Sequence, residues 1–276
     1  MSAFLRHIEA CNNHPGLHTQ RPWYLDGAVA GYLAAGHAAI LAGLAGWLAG
    51  PPGLSLMVAP AERDQALAVA AAALGFRHRG ELFDVRASPE GASLGRLDRG
   101  AVPGFGVIGQ GVHVNGLVRR AEGLWVWVGW RSLAKQVAPG QLDNLVAGGI
   151  PAGFGPEQCL VKEAAEEASL PANLARQARR VARIAYIMQV PEGTRRDVMH
   201  VYDLTVPEDV TPCPNDDEVE RFELWPVRRV LDLVRDTAEV KFNVNLALID
   251  LFLREGLIAA DSAEARALRL GLQRPL

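Results

Sequence analysis

Cysteine is scarce in this 276-residue chain. Cys11, Cys159 and Cys213 stand far apart, odd in number and in no CxxC pair, which argues against a disulfide framework and suits a reducing compartment, with the cytoplasm as the default. Excess positive charge is also lacking. The 28 Lys and Arg against 31 Asp and Glu leave a formal charge of -3, so a nucleic-acid polyanion is not expected as the main partner. A membrane span is imitated but not made. Residues 28–50, AVAGYLAAGHAAILAGLAGWLAG, could cross a bilayer of about 30 Å, yet they are mostly Ala and Gly, are interrupted by His37, follow an Asp26-Gly27 turn and have no basic cluster at either flank. The opening MSAFLRHIEACNNH lacks the basic and apolar regions of a signal peptide. What remains, 49% hydrophobic and 21% charged, is a globular composition long enough for one large domain or a main domain with a smaller partner.

The first hundred residues read as a small α/β module. PWYLDGAVAGYL signals a hairpin around Asp26-Gly27. The stretch His37 to Leu48 predicts a buried helix stopped by Gly50, Pro51 and Pro52. Then come a strand LSLMVA, a helix AERDQALAVAAAAL closed by Gly75, a strand near ELFDV, and RASPEGASLGRLDRGAVPG as the linker candidate. Beyond it VHVNGLVRR, LWVWVGW, RIAYIMQV, VMHVYDLTV and ERFELWPV alternate as strands. Helices are expected at Pro156 to Ala168, near Val227 to Arg235, and at Asn243 to Arg254. The class is therefore α/β (α+β), divided at about residue 108.

One turn of helix gathers carboxylates. In LDNLVAGGIPAGFGPEQCLVKEAAEEASLP, Gly155-Pro156-Glu157 starts a helix and Pro171 stops it. Glu163, Glu166 and Glu167 are spaced i, i+3 and i+4, so they share a face. A solvated acidic face is the plain reading. Like charges at these spacings cost about 0.2–0.5 kcal/mol per pair, however, and Lys162 cannot neutralise all three. Clustered carboxylate oxygens suit Mg²⁺. Gly148 and Gly149, just upstream, allow close backbone approach, and their carbonyls can join a metal shell.

The run from Gly148 to Leu170 resembles the Nudix box, a Gly, five residues, Glu, seven residues, then Arg-Glu-U-x-Glu-Glu-x-Gly-U with U bulky and apolar. Gly148, Glu163, Glu166, Glu167 and Leu170 fall in register. Phe154 replaces the first Glu, Lys162 the Arg, Ala164 a bulky residue and Ser169 the Gly. With GVHVNG, GWRSLAKQVAPGQLDNLVAGGIPAG and NDDEVERFEL, the chain is similar to Nudix proteins related to the domain fused to thiamine pyrophosphokinase in fungi, which carry an extra N-terminal domain. The resemblance is specific from about residue 111 to 256. It implies a Nudix α/β/α sandwich with a mixed sheet over residues 109–276, behind an accessory α/β domain over 1–108. It also implies hydrolysis, with Mg²⁺ or Mn²⁺, of a small-molecule diphosphate, in this subgroup oxidised or damaged thiamine diphosphate, to a monophosphate. Another nucleoside diphosphate-linked substrate, or an inactive binding module, is the alternative; oligomeric state is left open.

The resemblance makes Glu166 and Glu167 mainly metal ligands and Glu163 a ligand or general base, with Gly148 beside them. A further acid is expected from PNDDEVE, where Glu218 is preferred over Asp217 and Glu220. Arg131 and Lys135 are candidate phosphate contacts by charge and nearness. Lys241, with Asn243 and Asn245, is a candidate substrate contact, although Asn243 also suits a helix cap. His113 and Asn115 read as structural. GFGVIG, residues 104–109, matches GxGxxG without the strand and helix a dinucleotide site needs. Cys11, His14 and His18 read as a chance cluster, Arg176, Arg179, Arg180 and Arg183 as a basic helical stripe facing solvent, and Cys159 lacks a partner base.

Overall fold

The computed structural model describes residues 2–276. A short helix, α1 (Leu5–Cys11), precedes a module built from β1 (Arg21–Leu25), β2 (Ala28–Leu33), α2 (Ala35–Leu41), β3 (Trp47–Gly50), β4 (Gly53–Leu56), α3 (Arg63–Ala73), β5 (Leu82–Val85), β6 (Gly95–Asp98) and α4 (Val102–Phe105). Its four-stranded sheet runs β2-β1-β4-β3, and β5 pairs β6 separately. Asp26 and Gly27 both take positive φ, as a two-residue hairpin requires. The helix expected over His37 to Leu48 is corrected. It ends at Leu41, and Gly46 at φ +83° turns the chain so that Trp47 enters the core against Trp23, at 5.5 Å between rings. The linker expected over 86–104 is likewise structured. Leu97 is buried, and Asp98 accepts hydrogen bonds from the backbone N–H of Arg79, Gly80 and Gly100, which anchors β6.

The second part follows as β7 (Ile108–Arg120), β8 (Gly123–Arg131), β9 (Leu142–Asp143), β10 (Val146–Gly149), α5 (Pro156–Ala168), α6 (Ala172–Ala175), β11 (Arg179–Val190), β12 (Gly193–Thr205), β13 (Val219–Pro226), α7 (Val227–Asp236), α8 (Val244–Arg254) and α9 (Ala263–Leu272). A seven-stranded sheet has the order β11-β12-β7-β8-β13, with β10 on β7 and β9 on β8. It is mixed, because β12 and β7 run parallel while its other pairs are antiparallel. Strand alternation gives each face a core. Val112, Val114 and Val146 pack on Leu160 and Ala164 of α5, whereas Leu117, Val126 and Val201 share a core with α7, α8 and α9. The α/β/α layering expected from the sequence is what forms.

The cores divide unevenly along the chain. Trp23 to Val107 make one, but Phe4 and, on α1, Ile8 and Cys11 belong to the core of α8 and α9. The two parts touch closely: Arg196 Nη1 donates to Gly106 O at 3.1 Å, with its guanidinium over the Tyr32 ring. The basic helical stripe is a further correction. Arg179, Arg180 and Arg183 lie on β11, because Arg179, Arg180 and Ala182 to Val190 pair along β12.

Candidate functional site

Helix α5 begins at Pro156, where Gly155 N donates to Gln158 Oε1 at 3.0 Å, and ends at Ser169, whose φ of +54° is the left-handed conformation usually given to glycine. Cys159, Leu160, Ala164 and Ala168 seat it on the sheet. That seating separates the three acids. Glu163 and Glu167, one turn apart, both turn toward β10. The Glu163 carboxylate lies so close to Gly148 that a Cβ there would collide with it, and Glu167 Oε2 accepts from Ala147 N at 2.9 Å. Glu166 stays half-exposed and pairs with Lys162, whose Nζ also stands 3.2 Å from Glu163 Oε1.

Glu167 is only 5% exposed. Burial holds its carboxyl well above the ordinary glutamate range, and the nearby charges of Asp143, Glu163 and Glu218 push the same way against the Ala147 hydrogen bond. Burial also raises Glu163, with Glu166 and Glu81 adding to it and Lys162 opposing. Four acids thus bear on Glu167 and Glu163 from different elements. Among the described residues no group of three His, Cys, Asp or Glu is arranged to hold a metal ion. The donor set is nonetheless all oxygen, the chemistry of a hard divalent cation, and excess negative charge gathers on β10. Glu163 and Glu167 turn toward the same strand and offer the oxygens such an ion takes; Glu163 and Glu166 both bind Lys162, which an ion would have to displace.

The basic candidates are largely engaged inside the protein. Arg131 is buried, giving Nη1 to Asp143 Oδ2 at 2.5 Å and Nη2 to Val137 O at 2.8 Å, so it offers no free fork to a phosphate. Lys241 Nζ reaches the same Asp143 oxygen at 3.0 Å. Despite burial, Lys241 and Arg131 hold the Asp143 carboxyl below its ordinary range. Asp143 organises this cluster, and no motif in the sequence marks it. Lys135 pairs with Glu218, whose own N–H is held by Asp216. Glu218 is half-buried and Asp217 exposed, while Glu220 accepts from Leu133 N at 3.2 Å.

His113 and Asn115 face α8 rather than the acids. His113 Nδ1 meets Asn144 Oδ1 at 2.9 Å, Asn144 Nδ2 donates to Asn115 Oδ1, and Asn115 Nδ2 donates to Asp203 Oδ1. Burial pushes His113 down to about 4, so it is neutral at pH 7. Asn243 has no side-chain capping bond, and Asn245 Nδ2 donates to Val240 O and Lys241 O. Cys11 lies in the core of α1, and burial pushes Cys159 up to about 12, so neither is a reactive thiol. GFGVIG spans the end of α4 and the start of β7.

The accessory part reaches the loop ahead of α5. Ala152 N donates to Leu82 O at 2.7 Å, Gly153 N donates to Asp84 Oδ2 at 3.0 Å, and the Phe83 ring fills the space over Gly149. A cleft of about 310 Å³ lies there, with Phe83, Pro89, Ile150, Phe154, Arg180 and His200 on its walls.

A family model described as "NUDIX domain" matches residues 109–244. The chain carries a Nudix domain. The chain is 39% identical over 216 residues to "Nudix hydrolase 20, chloroplastic" of Arabidopsis thaliana, covering 76% of the chain and 58% of the relative. It is 40% identical over 208 residues to "Nudix hydrolase 24, chloroplastic" of the same plant, covering 74% and 57%. It thus spans little more than half the length of the curated relatives it matches. The crystal structure of DR0079 from Deinococcus radiodurans aligns at 20% identity over 70% of this chain and 100% of that one, with a TM-score of 0.45.

Proposed function

We propose that this Nudix chain hydrolyses the diphosphate bond of a small molecule with Mg²⁺ or Mn²⁺, releasing a monophosphate, and that oxidised or damaged thiamine diphosphate is its substrate. The observation that carries the reading is the pair Glu163 and Glu167, turned onto Ala147 and Gly148, with Glu167 in no ion pair among the described residues. Glu163, Glu166, Glu167, the Gly148 carbonyl and Glu218 would hold the ion. Once bound, it neutralises phosphoryl charge and lowers the pKa of water. Glu163 acts as ligand or as the base that takes the water's proton on a carboxylate oxygen, and its raised proton affinity suits the second role. Asp143, with Arg131 and Lys241, fixes β9 beside the site rather than touching substrate. Three free cysteines, two of them buried, accord with a reducing compartment such as the cytoplasm.

Residues 1–108, less α1, form the accessory part, and Leu82 and Asp84 give it a hand in substrate choice by holding the loop ahead of α5. A nucleoside diphosphate-linked compound is the alternative substrate. The alternative class, a binding module, is favoured by the Lys162 ion pairs, which occupy Glu163 and Glu166. The deciding experiment offers the purified chain a matched panel of diphosphate compounds with Mg²⁺ or Mn²⁺ and identifies the products. Turnover confined to nucleotide sugars sinks the thiamine assignment, and absence of any metal-dependent cleavage leaves the binding module.

A further inference from the structure

The cleft between the accessory part and the loop ahead of α5 is bordered by an incompletely bonded buried group: His200 is 5% exposed, and its Nδ1 has no partner among the described residues. We infer that this cleft binds a neutral, flat aromatic heterocycle carrying an N–H donor, with His200 as the acceptor and Phe154 as an aromatic wall. The inference stands apart from the functional reading above, because it needs neither metal nor hydrolysis.

The hydrogen bonds around His200 fix the kind of polar group that suits it. Gln110 Nε2 donates to Pro89 O at 2.9 Å, which leaves Gln110 Oε1 to meet His200 Nε2 at 2.8 Å. Nε2 therefore carries the ring proton, and Nδ1 is a bare lone pair. Burial pushes the imidazole down to about 4, so it stays neutral at pH 7. A buried acceptor left without a donor is costly. Nδ1 is sealed from bulk solvent, but a turn of the imidazole presents it to the cleft, and Gln110, which lines the same cleft, can follow.

The walls fix the rest of the ligand. Phe83 of the accessory part and Phe154 of the loop ahead of α5 both line the cleft, beside Ile150. Phe154 is 41% exposed and stands where the Nudix box has its first Glu, so the loop offers aromatic surface in place of a charge. Aromatic walls favour a flat ring. The cleft, about 310 Å³, lies at the small end of the roughly 300–1,000 Å³ of ligand pockets, which suits one or two fused rings. Asp84 is paired with Arg86 and Glu90 with Arg183, whereas Arg180, also on the lining, has no ion pair among the described residues. That surplus of positive charge disfavours a cationic ring.

The test is a calorimetric titration of the full chain, in chelator, with 4-aminoquinazoline and with 4-methylquinazoline, an isostere that lacks the N–H donor. The amine should bind, and the methyl compound should bind about tenfold more weakly. Phe154→Ala, at an exposed position, should weaken the amine by about tenfold, and His200→Phe should abolish the preference for the amine over its isostere. In wild type the ¹⁵N resonance of His200 Nδ1 should move with the amine and stay in place with the isostere, a readout that needs no variant to fold. No uptake of the amine, equal affinity for the two compounds, or unchanged binding in Phe154→Ala overturns the proposal. Adding the amine to a diphosphate that the chain hydrolyses with Mg²⁺ then separates two sources of the ligand. A raised KM means that the cleft takes the organic end of the substrate, and binding without competition means a free heterocyclic compound; both support the site. Binding of the amine by a chain that hydrolyses no diphosphate supports the site while the functional reading falls.

Discussion

Asp143 and Glu167 are both withdrawn from water, yet they are treated oppositely. Asp143 has two cations on one oxygen, Arg131 and Lys241, and its carboxyl is held below the ordinary range. Glu167 has one backbone N–H, three acids in range and no ion pair among the described residues, and although Lys241 feels its charge, its carboxyl is driven up. A buried charge completed by the fold is structural, and removing one partner strands the others. A buried charge that the fold leaves incomplete costs stability until something from solution completes it. The difference separates scaffold from site within one stretch of chain.

That contrast can be broken most forcefully at Asp143. Asp143→Asn leaves Arg131 and Lys241 buried without a counter-ion and should cost about 3–5 kcal/mol in denaturant unfolding. The upward melting shift caused by metal should survive at temperatures where the variant folds. A near-neutral variant would show that Asp143 is not a structural centre.

Glu167→Gln should do the reverse. Hydrolysis should fall by about a hundredfold or more, the scale of losing a key electrostatic group. The metal-free variant should match or slightly exceed wild type in stability, because its acidic neighbours lose a repulsive partner, and it should forfeit most of the stabilisation that metal gives to a folded binder. Near-normal rates with an unchanged metal shift would make Glu167 an ordinary buried residue.

Titration sharpens the comparison by sign. The raised Glu167 carboxyl contributes fully below the ordinary glutamate value of 4.5 and loses that contribution as pH rises through its folded value; the depressed Asp143 carboxyl contributes fully above 3.8 and loses it as pH falls through its own. In chelator, the stability of Glu167→Gln minus that of wild type should be near zero below the glutamate value and grow with pH above it, by at most about 1.4 kcal/mol per pH unit. A flat difference across that window rejects the assignment.

The smallest effect serves as a control that touches neither centre. Ser169 occupies a left-handed position where the Nudix box has glycine, so Ser169→Gly should stabilise by about 0.5–1 kcal/mol. The gain should appear in the melting temperature, with rates and metal response unchanged.

The sequence exposed what local rules govern. Pro156 and Pro171 bound α5 at its true ends, strand alternation located the five long strands of the large sheet, and the glutamate spacing marked the acidic turn. Pairings between distant segments were hidden. Helical spacing put Glu163, Glu166 and Glu167 on one face, but β10 covers only part of that face and takes Glu163 and Glu167 alone. Arg131 and Lys241 looked free because their partner, Asp143, is a lone acid in LDNLV with nothing around it to suggest two cations. The stretch 86–104, read as linker, hid β6, since β6 and its neighbours are fixed by Asp98 and Leu97 rather than by any periodic pattern. Ala-rich sequence concealed the strand at Trp47 for the same reason.

Helix α1 has a consequence for how the molecule is made. Ile8 packs where a side chain at Gly271 would crowd it, Phe4 meets Phe252 edge-on at 6.3 Å, and Glu9 pairs with Arg274 at 2.6 Å. Helix α1 therefore docks on helices made far later along this stretch of chain. At about 5–20 residues per second, Phe4, Ile8 and Cys11 wait on the order of ten seconds to a minute for their partners, while the sheet of β1 to β4 has everything it pairs with close by in sequence. The core of α8 and α9 closes only once those helices have emerged, and α1 is a surface a chaperone would have to shield until then.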